Sequence, residues 1–164
     1  MTKFGAGLLS GLDWGIRYPA GRGQWIVLIV WVLMLAGGSV VIGDLISTTT
    51  NRDSNLHDQG AYLRMAEQSL VTWWPTVTDG VRNPLFPWLL ARMTGEQQGS
   101  MFVEGQRLNV RLGALLIVAL GWWGGLRLAW IPAMTFVTIA TAVLLPLSTY
   151  VGAEILFYGL TFAG

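Results

Sequence analysis

From Trp25 to Gly43 the chain carries no charged residue, and Leu, Ile, Val and Trp dominate that run. About 20 apolar residues cross a hydrocarbon core of about 30 Å, so this stretch predicts a first transmembrane helix, with Trp25 and Trp31 suited to an interfacial aromatic belt. The small residues Ala36-Gly37-Gly38-Ser39 allow a competing reading as a cleaved signal peptide, but Val40, Val41 and Ile42 prolong the apolar run beyond a leader's usual core.

The pattern changes at Asp44. From there to Arg107 lie seven of the nine acidic and five of the ten basic residues, which predicts a structured segment outside the membrane. Within it Ala61, Tyr62, Met65, Ala66, Ser69 and Leu70 recur at helical spacing, with Gln59, Arg64, Glu67 and Gln68 mostly on the opposite face. The spacing predicts an amphipathic helix over about 58–71, lying along the membrane surface. Trp73-Trp74-Pro75 ends it, Thr78-Asp79-Gly80 turns, and Asn83-Pro84 reads as an N-cap followed by proline at the first helical position. A second short helix is expected over about 84–94, stopping at Gly95.

Leu108 to Trp130 is again apolar, with Arg111 and Arg127 near its two ends and able to snorkel to opposite interfaces. Ile131-Pro132 is expected to connect it to a third span, Ala133 to Leu147. A fourth apolar segment opens near Val151 and reaches Gly164 after about 14 residues, about 21 Å of helix, which is short of a bilayer core and reads as an incomplete span. The expected fold is an all-α, multi-pass membrane protein with a large external first loop containing juxtamembrane helices. Its divisions are a cytoplasmic tail 1–24, a first span 25–43, the loop 44–107 and further spans 108–164. Lys3, Arg17 and Arg22 before the first span and Arg127 in the second connection place the N-terminus in the cytoplasm, although the loop arginines pull the other way. The turn at 148–152 then faces the same compartment as the long loop, so Glu154 and the loop acids can share a site.

Composition narrows the chemistry. The chain is 53% hydrophobic and 12% charged with a formal net charge of +1, which gives no basic field for nucleic acid. It has no Cys and one His, so disulfides, iron–sulfur clusters, thiolate zinc and histidine-rich metal sites are excluded for this chain alone. No P-loop, dinucleotide fingerprint, His-Glu-x-x-His or Gly-x-Ser-x-Gly is present. Carboxylates, arginines and hydroxyls are what remains.

They gather in a recognisable order: His57-Asp58-Gln59-Gly60-Ala61-Tyr62, then Met65-Ala66, then Arg82-Asn83-Pro84-Leu85-Phe86-Pro87, and finally Ala153-Glu154-Ile155-Leu156-Phe157. This order resembles integral-membrane glycosyltransferases of the GT-C fold, the superfamily of the protein mannosyltransferases and aminoarabinose transferases, and covers essentially the whole chain. The resemblance implies that the chain is the N-terminal part of such an enzyme, inactive as this fragment alone, which moves a sugar from a polyprenyl- or dolichyl-phosphate carrier to a lipid, glycan or protein hydroxyl on the external side of a cell membrane, a bacterial inner membrane being expected. It makes Asp58 the catalytic carboxylate, with Arg82, Glu154, Tyr62 and His57 in contact with substrate, and leaves a divalent metal ion open. Where the family often has an acidic pair this chain has Asp58-Gln59, so a second carboxylate would have to be Asp53 or Glu154. The chemistry fits these roles: a base takes the acceptor proton, and an arginine meets phosphate oxygens bidentately at a partly dehydrated interface.

Each residue also has a plainer reading. Asp58, three residues after Asn55, would serve as a charge in a helix's first turn. Arg82 would pair with Asp79 or a headgroup, Glu154 would solvate a span end, and His57 would stay in water. Trp73 and Trp74 suit interface anchors better than a sugar platform. Gly121-x-x-x-Gly125 permits close helix packing, though 21 glycines make the spacing easy by chance. Composition and periodicity alone would equally allow a non-catalytic membrane subunit or a transporter fragment. The near absence of charge inside the spans favours interfacial chemistry over conduction.

Overall fold

The protein is described from a computed structural model, which covers residues 22–50, 52–54, 58–73, 82, 84–94 and 101–163. His57 and Asn83 lie outside the described residues, as does the turn around Asp79. Among the described residues there are six α-helices and no β-strand: α1 (Arg22–Thr49), α2 (Gln59–Val71), α3 (Leu85–Thr94), α4 (Met101–Arg127), α5 (Trp130–Ser148) and α6 (Glu154–Ala163). Helices α1, α4 and α5 are long and apolar enough to cross a membrane. The chain is thus a helical membrane protein.

Two span helices run further into polar sequence than the apolar pattern suggests. Helix α1 continues past Asp44 to Thr49, and α4 begins at Met101, ahead of Gln106, Arg107 and Asn109. Past the end of the apolar run, Thr48 and Thr49 bond back to the carbonyls of Asp44 and Leu45, and Arg52 Nε donates to the Thr48 carbonyl, one of the last carbonyls that the helix itself leaves without a partner. The connection expected at Ile131-Pro132 is displaced. The break falls at Leu128–Ala129, and Pro132 sits in the first turn of α5, where a missing N–H costs no helical bond.

The chain divides into two compact units. One contains residues 22–38 with 114–143. There Gly121 and Gly125 face α1: a Cβ on Gly121 would collide with Val32, and one on Gly125 would lie 2.5 Å from the Trp25 ring and 2.7 Å from Leu28. The Gly-x-x-x-Gly spacing is therefore one of close backbone approach. Trp25 packs on Trp122 at 5.7 Å between ring centroids, and the Trp31 indole donates to Thr138 Oγ1 at 3.1 Å, so Trp31 links two helices as well as sitting on an apolar run.

The other unit contains residues 39–113 and 144–164, as far as they are described. Its core joins Tyr62 and Ala66 of α2 to Phe86, Leu90 and Ala91 of α3, Met101 and Leu108 of α4, and Val151. Phe86 and Leu90 are completely buried, which contributes about 1.5–3 kcal/mol for each side chain. Helix α2 buries Tyr62, Met65, Ala66 and Ser69 and exposes Arg64, Glu67 and Gln68, as its periodicity predicts. Gln59, expected on the polar face, is instead 1% exposed: it lies three and seven residues before Tyr62 and Ala66, which is the spacing of the buried face.

Candidate functional site

The site is built on the turn between α5 and α6, and three buried amides hold that turn. Gln106 Nε2 donates to the Thr149 carbonyl at 3.2 Å, and Asn109 Nδ2 donates to the carbonyls of Tyr150 and Gly152 at 2.5 and 2.8 Å. The Val151 N–H donates to Gln59 Oε1 at 2.8 Å, while Gln59 Nε2 donates to the Asp53 carbonyl at 3.0 Å. A turn buried among apolar side chains must find partners for its peptide groups, and here α2 and α4 supply them. Gly152 completes the geometry, because the Glu154 carboxylate lies where a side chain at that position would begin.

The turn delivers Ala153 and Glu154 to the edge of a cleft of about 390 Å³. Asp58, Tyr62 and Arg82 stand on the cleft with them, and Phe86, Leu156 and Phe157 contribute its apolar wall. Asp58 occupies the N-cap position of α2 but makes no side-chain cap. Its carboxylate instead accepts from Arg82 Nη2 at 2.5 Å, with the Asp58 side chain 57% exposed and that of Arg82 21% exposed. An ion pair so open to water contributes about 0–1 kcal/mol to stability, so its main effect is to aim two charges into one cleft. The Arg82 guanidinium carbon lies 5.9 Å from the Tyr62 ring centroid, within cation–π range, and Phe86 meets the same ring edge-on at 5.7 Å.

Tyr62 is 7% exposed and belongs as much to the core as to the cleft. Burial pushes its hydroxyl above the usual tyrosine range, and the nearby Glu154 carboxylate adds to the rise. A hydrogen bond with the Ala153 backbone acts in the opposite direction, Asp58 adds a smaller rise, and Arg82 a small fall. Tyr62 thus stays neutral and joins α2 to the turn that carries Glu154.

Of the residues singled out from sequence, the structure brings Asp58, Tyr62, Arg82 and Glu154 together. Asp53 is tied to this region through its carbonyl to Gln59. Among the described residues no group of three or more acidic or histidine side chains gathers as a metal cluster. The residues missed by the sequence reading are Gln59, Gln106 and Asn109. Gln106 and Asn109 did leave a signal, two amides at i, i+3 beside an apolar run, a pattern that places both on one helix face.

No family model, curated protein or solved structure matches the chain.

Proposed function

We propose that this chain contributes the carboxylate–arginine cleft of a GT-C type membrane glycosyltransferase that uses a polyprenyl-phosphate-linked sugar. The observation that carries this reading is the placement of Asp58, Arg82 and Glu154, from three separate stretches of sequence, on one cleft with an apolar wall. A lipid-phosphate donor calls for that combination: a cation for the phosphate, a carboxylate for the acceptor proton and apolar surface beside them for the carrier. Helix α2 and the span helices belong to one bilayer-associated chain, so the donor is met at the membrane, with the N-terminus in the cytoplasm and the cleft outside.

In the resting arrangement Asp58 and Arg82 hold each other. An arriving donor phosphate engages Arg82 and frees the carboxylate. The acceptor hydroxyl then attacks the anomeric carbon, its proton passes to Asp58, and the sugar–phosphate C–O bond breaks with its electron pair leaving on the phosphate, whose charge Arg82 meets. The acceptor is a lipid, glycan or protein hydroxyl. If a divalent ion takes part, Asp58 and Glu154 are the carboxylates on the cleft.

The test is transfer of a radiolabelled sugar from polyprenyl phosphate in native membranes that contain the protein with whatever completes it. Asp58→Asn is nearly isosteric and should lower transfer by about 10²–10⁴-fold, the usual worth of a general base, while insertion and abundance stay unchanged. Transfer that persists in this variant would remove Asp58 from the mechanism and return the chain to the reading of a non-catalytic membrane subunit.

A further inference from the structure

A second cleft, of about 380 Å³, lies in the same unit and shares no lining residue with the first. The end of α1 supplies Asp44, Ser47 and Thr48, with Arg52 just beyond, and the start of α4 supplies Phe102, Val103, Gln106 and Arg107. Gly43 and Val110 touch: a Cβ on the glycine would sit 2.9 Å from both valine methyls, which sets the two helices at a common depth. At that level the charge-free run of α1 ends, with Asp44 next, and on α4 the apolar run begins at Leu108, just after Arg107. The cleft therefore sits where hydrocarbon gives way to headgroups.

Its polar groups are poised without being used up by one another. Arg107 is held by Glu104 at 2.5 Å. Arg52 spends its Nε on the Thr48 carbonyl, which fixes the guanidinium, and its other two nitrogens have no partner among the described residues. Asp44 makes no ion pair among the described residues, with Arg52 or with Arg107. The second sign comes from Ser47. It is 7% exposed, yet its Oγ has no hydrogen-bond partner among the described residues, although Thr48 and Thr49 beside it both bond back to the helix. A buried hydroxyl left so is costly unless something else supplies its partner.

We propose that this cleft binds the headgroup of an amine-bearing zwitterionic glycerophospholipid. The phosphate goes to Arg52 and the Ser47 hydroxyl, the ammonium goes to Asp44, and Phe102 and Val103 line the glycerol end. A cation and an anion that make no ion pair among the described residues, Arg52 and Asp44, on a single cleft match a zwitterion better than an anionic headgroup. The assignment is independent of the transferase reading.

The full chain in detergent micelles is offered phosphatidylethanolamine or phosphatidylglycerol with identical acyl chains, and retained lipid is counted by native mass spectrometry. Phosphatidylethanolamine should bind more tightly. Arg52→Gln should weaken it about tenfold or more, as expected for a charge-assisted phosphate contact, and Ser47→Ala about threefold. Asp44→Asn should weaken phosphatidylethanolamine alone and so abolish the preference. Equal retention of the two lipids, or retention untouched by Asp44→Asn and Arg52→Gln, would overturn the site. Inorganic phosphate is added as a soluble competitor. Displacement of the lipid by millimolar inorganic phosphate would show a free-anion site and overturn the lipid assignment. Asp44 and Arg52 are both exposed, and circular dichroism of each variant checks that helix content is kept; should Ser47→Ala fail to fold, these two carry the test.

Discussion

Replacing Gln59 by Met keeps the length of a side chain that is 1% exposed and removes both of its polar ends. The Val151 N–H, on a residue itself 1% exposed, loses its 2.8 Å acceptor, and the Asp53 carbonyl loses its 3.0 Å donor. An orphaned buried N–H costs about 1–3 kcal/mol, and the half-buried second bond adds about 0.5–1.5, so the turn should lose about 2–4 kcal/mol of local stability. At 1.4 kcal/mol per factor of ten, even 2 kcal/mol opens the turn about 30-fold more often. Hydrogen exchange of the Val151 amide in detergent micelles reads this directly, with Gln68→Met on the exposed face of α2 as the control. An increase of about 30-fold or more for Gln59→Met and none for Gln68→Met is expected. If Val151 kept its protection within about threefold while helix content held, the claim that Gln59 anchors the turn would fail.

The two glycines Gly121 and Gly124 separate close approach from mere spacing. Gly121→Ala pushes a methyl into Val32 and should cost about 1–3 kcal/mol in thermal unfolding, whereas at Gly124 the nearest side-chain atom is 3.6 Å away and Ala should be neutral; equal melting of the two variants would contradict the packing. Tyr62 sets a pH dependence: its hydroxyl titrates above the unfolded value of about 10, so the contribution is whole below pH 10 and is lost as pH rises through the higher folded value. The alkaline loss of stability should shrink in Tyr62→Phe, and an unchanged alkaline limb would count against the buried hydroxyl. Under the proposed transferase function, Arg82→Gln should raise the KM for a polyprenyl-phosphate sugar more than Arg82→Lys does, because lysine keeps the charge and loses only the fork; identical effects would argue against bidentate phosphate contact.

Much of the site was legible because its charged members lie in short local patterns. Asp58 at the head of an amphipathic repeat, Arg82 just before a Pro-initiated helix and Glu154 at the start of an apolar segment each signal a helix end, and helix ends next to spans cluster at the interface. Gln59 was misplaced for a definite reason. Its spacing, three and seven residues before Tyr62 and Ala66, belongs to the buried face of α2; its polarity pointed to the solvent side, but the buried amide meets the Val151 N–H. The break between α4 and α5 falls three residues before the expected Ile131-Pro132 because a proline signals a helix boundary without saying on which side of it the turn lies.

What the amino-acid order determined by itself was the set of helices: the apolar run lengths require spans, and the 3.6-residue period over 61–70 requires a one-sided helix, because both follow from local hydrophobicity and backbone geometry. Only the tertiary structure decided which polar groups meet. Gln59 and Val151 are 92 residues apart, Asn109 and Gly152 are 43 apart, and Asp58 and Arg82 are 24 apart. Such pairings are selected by the need of each buried peptide group for a partner, a demand that exists only once α2, α4 and the 149–153 turn have packed together, and no local pattern in the chain records it.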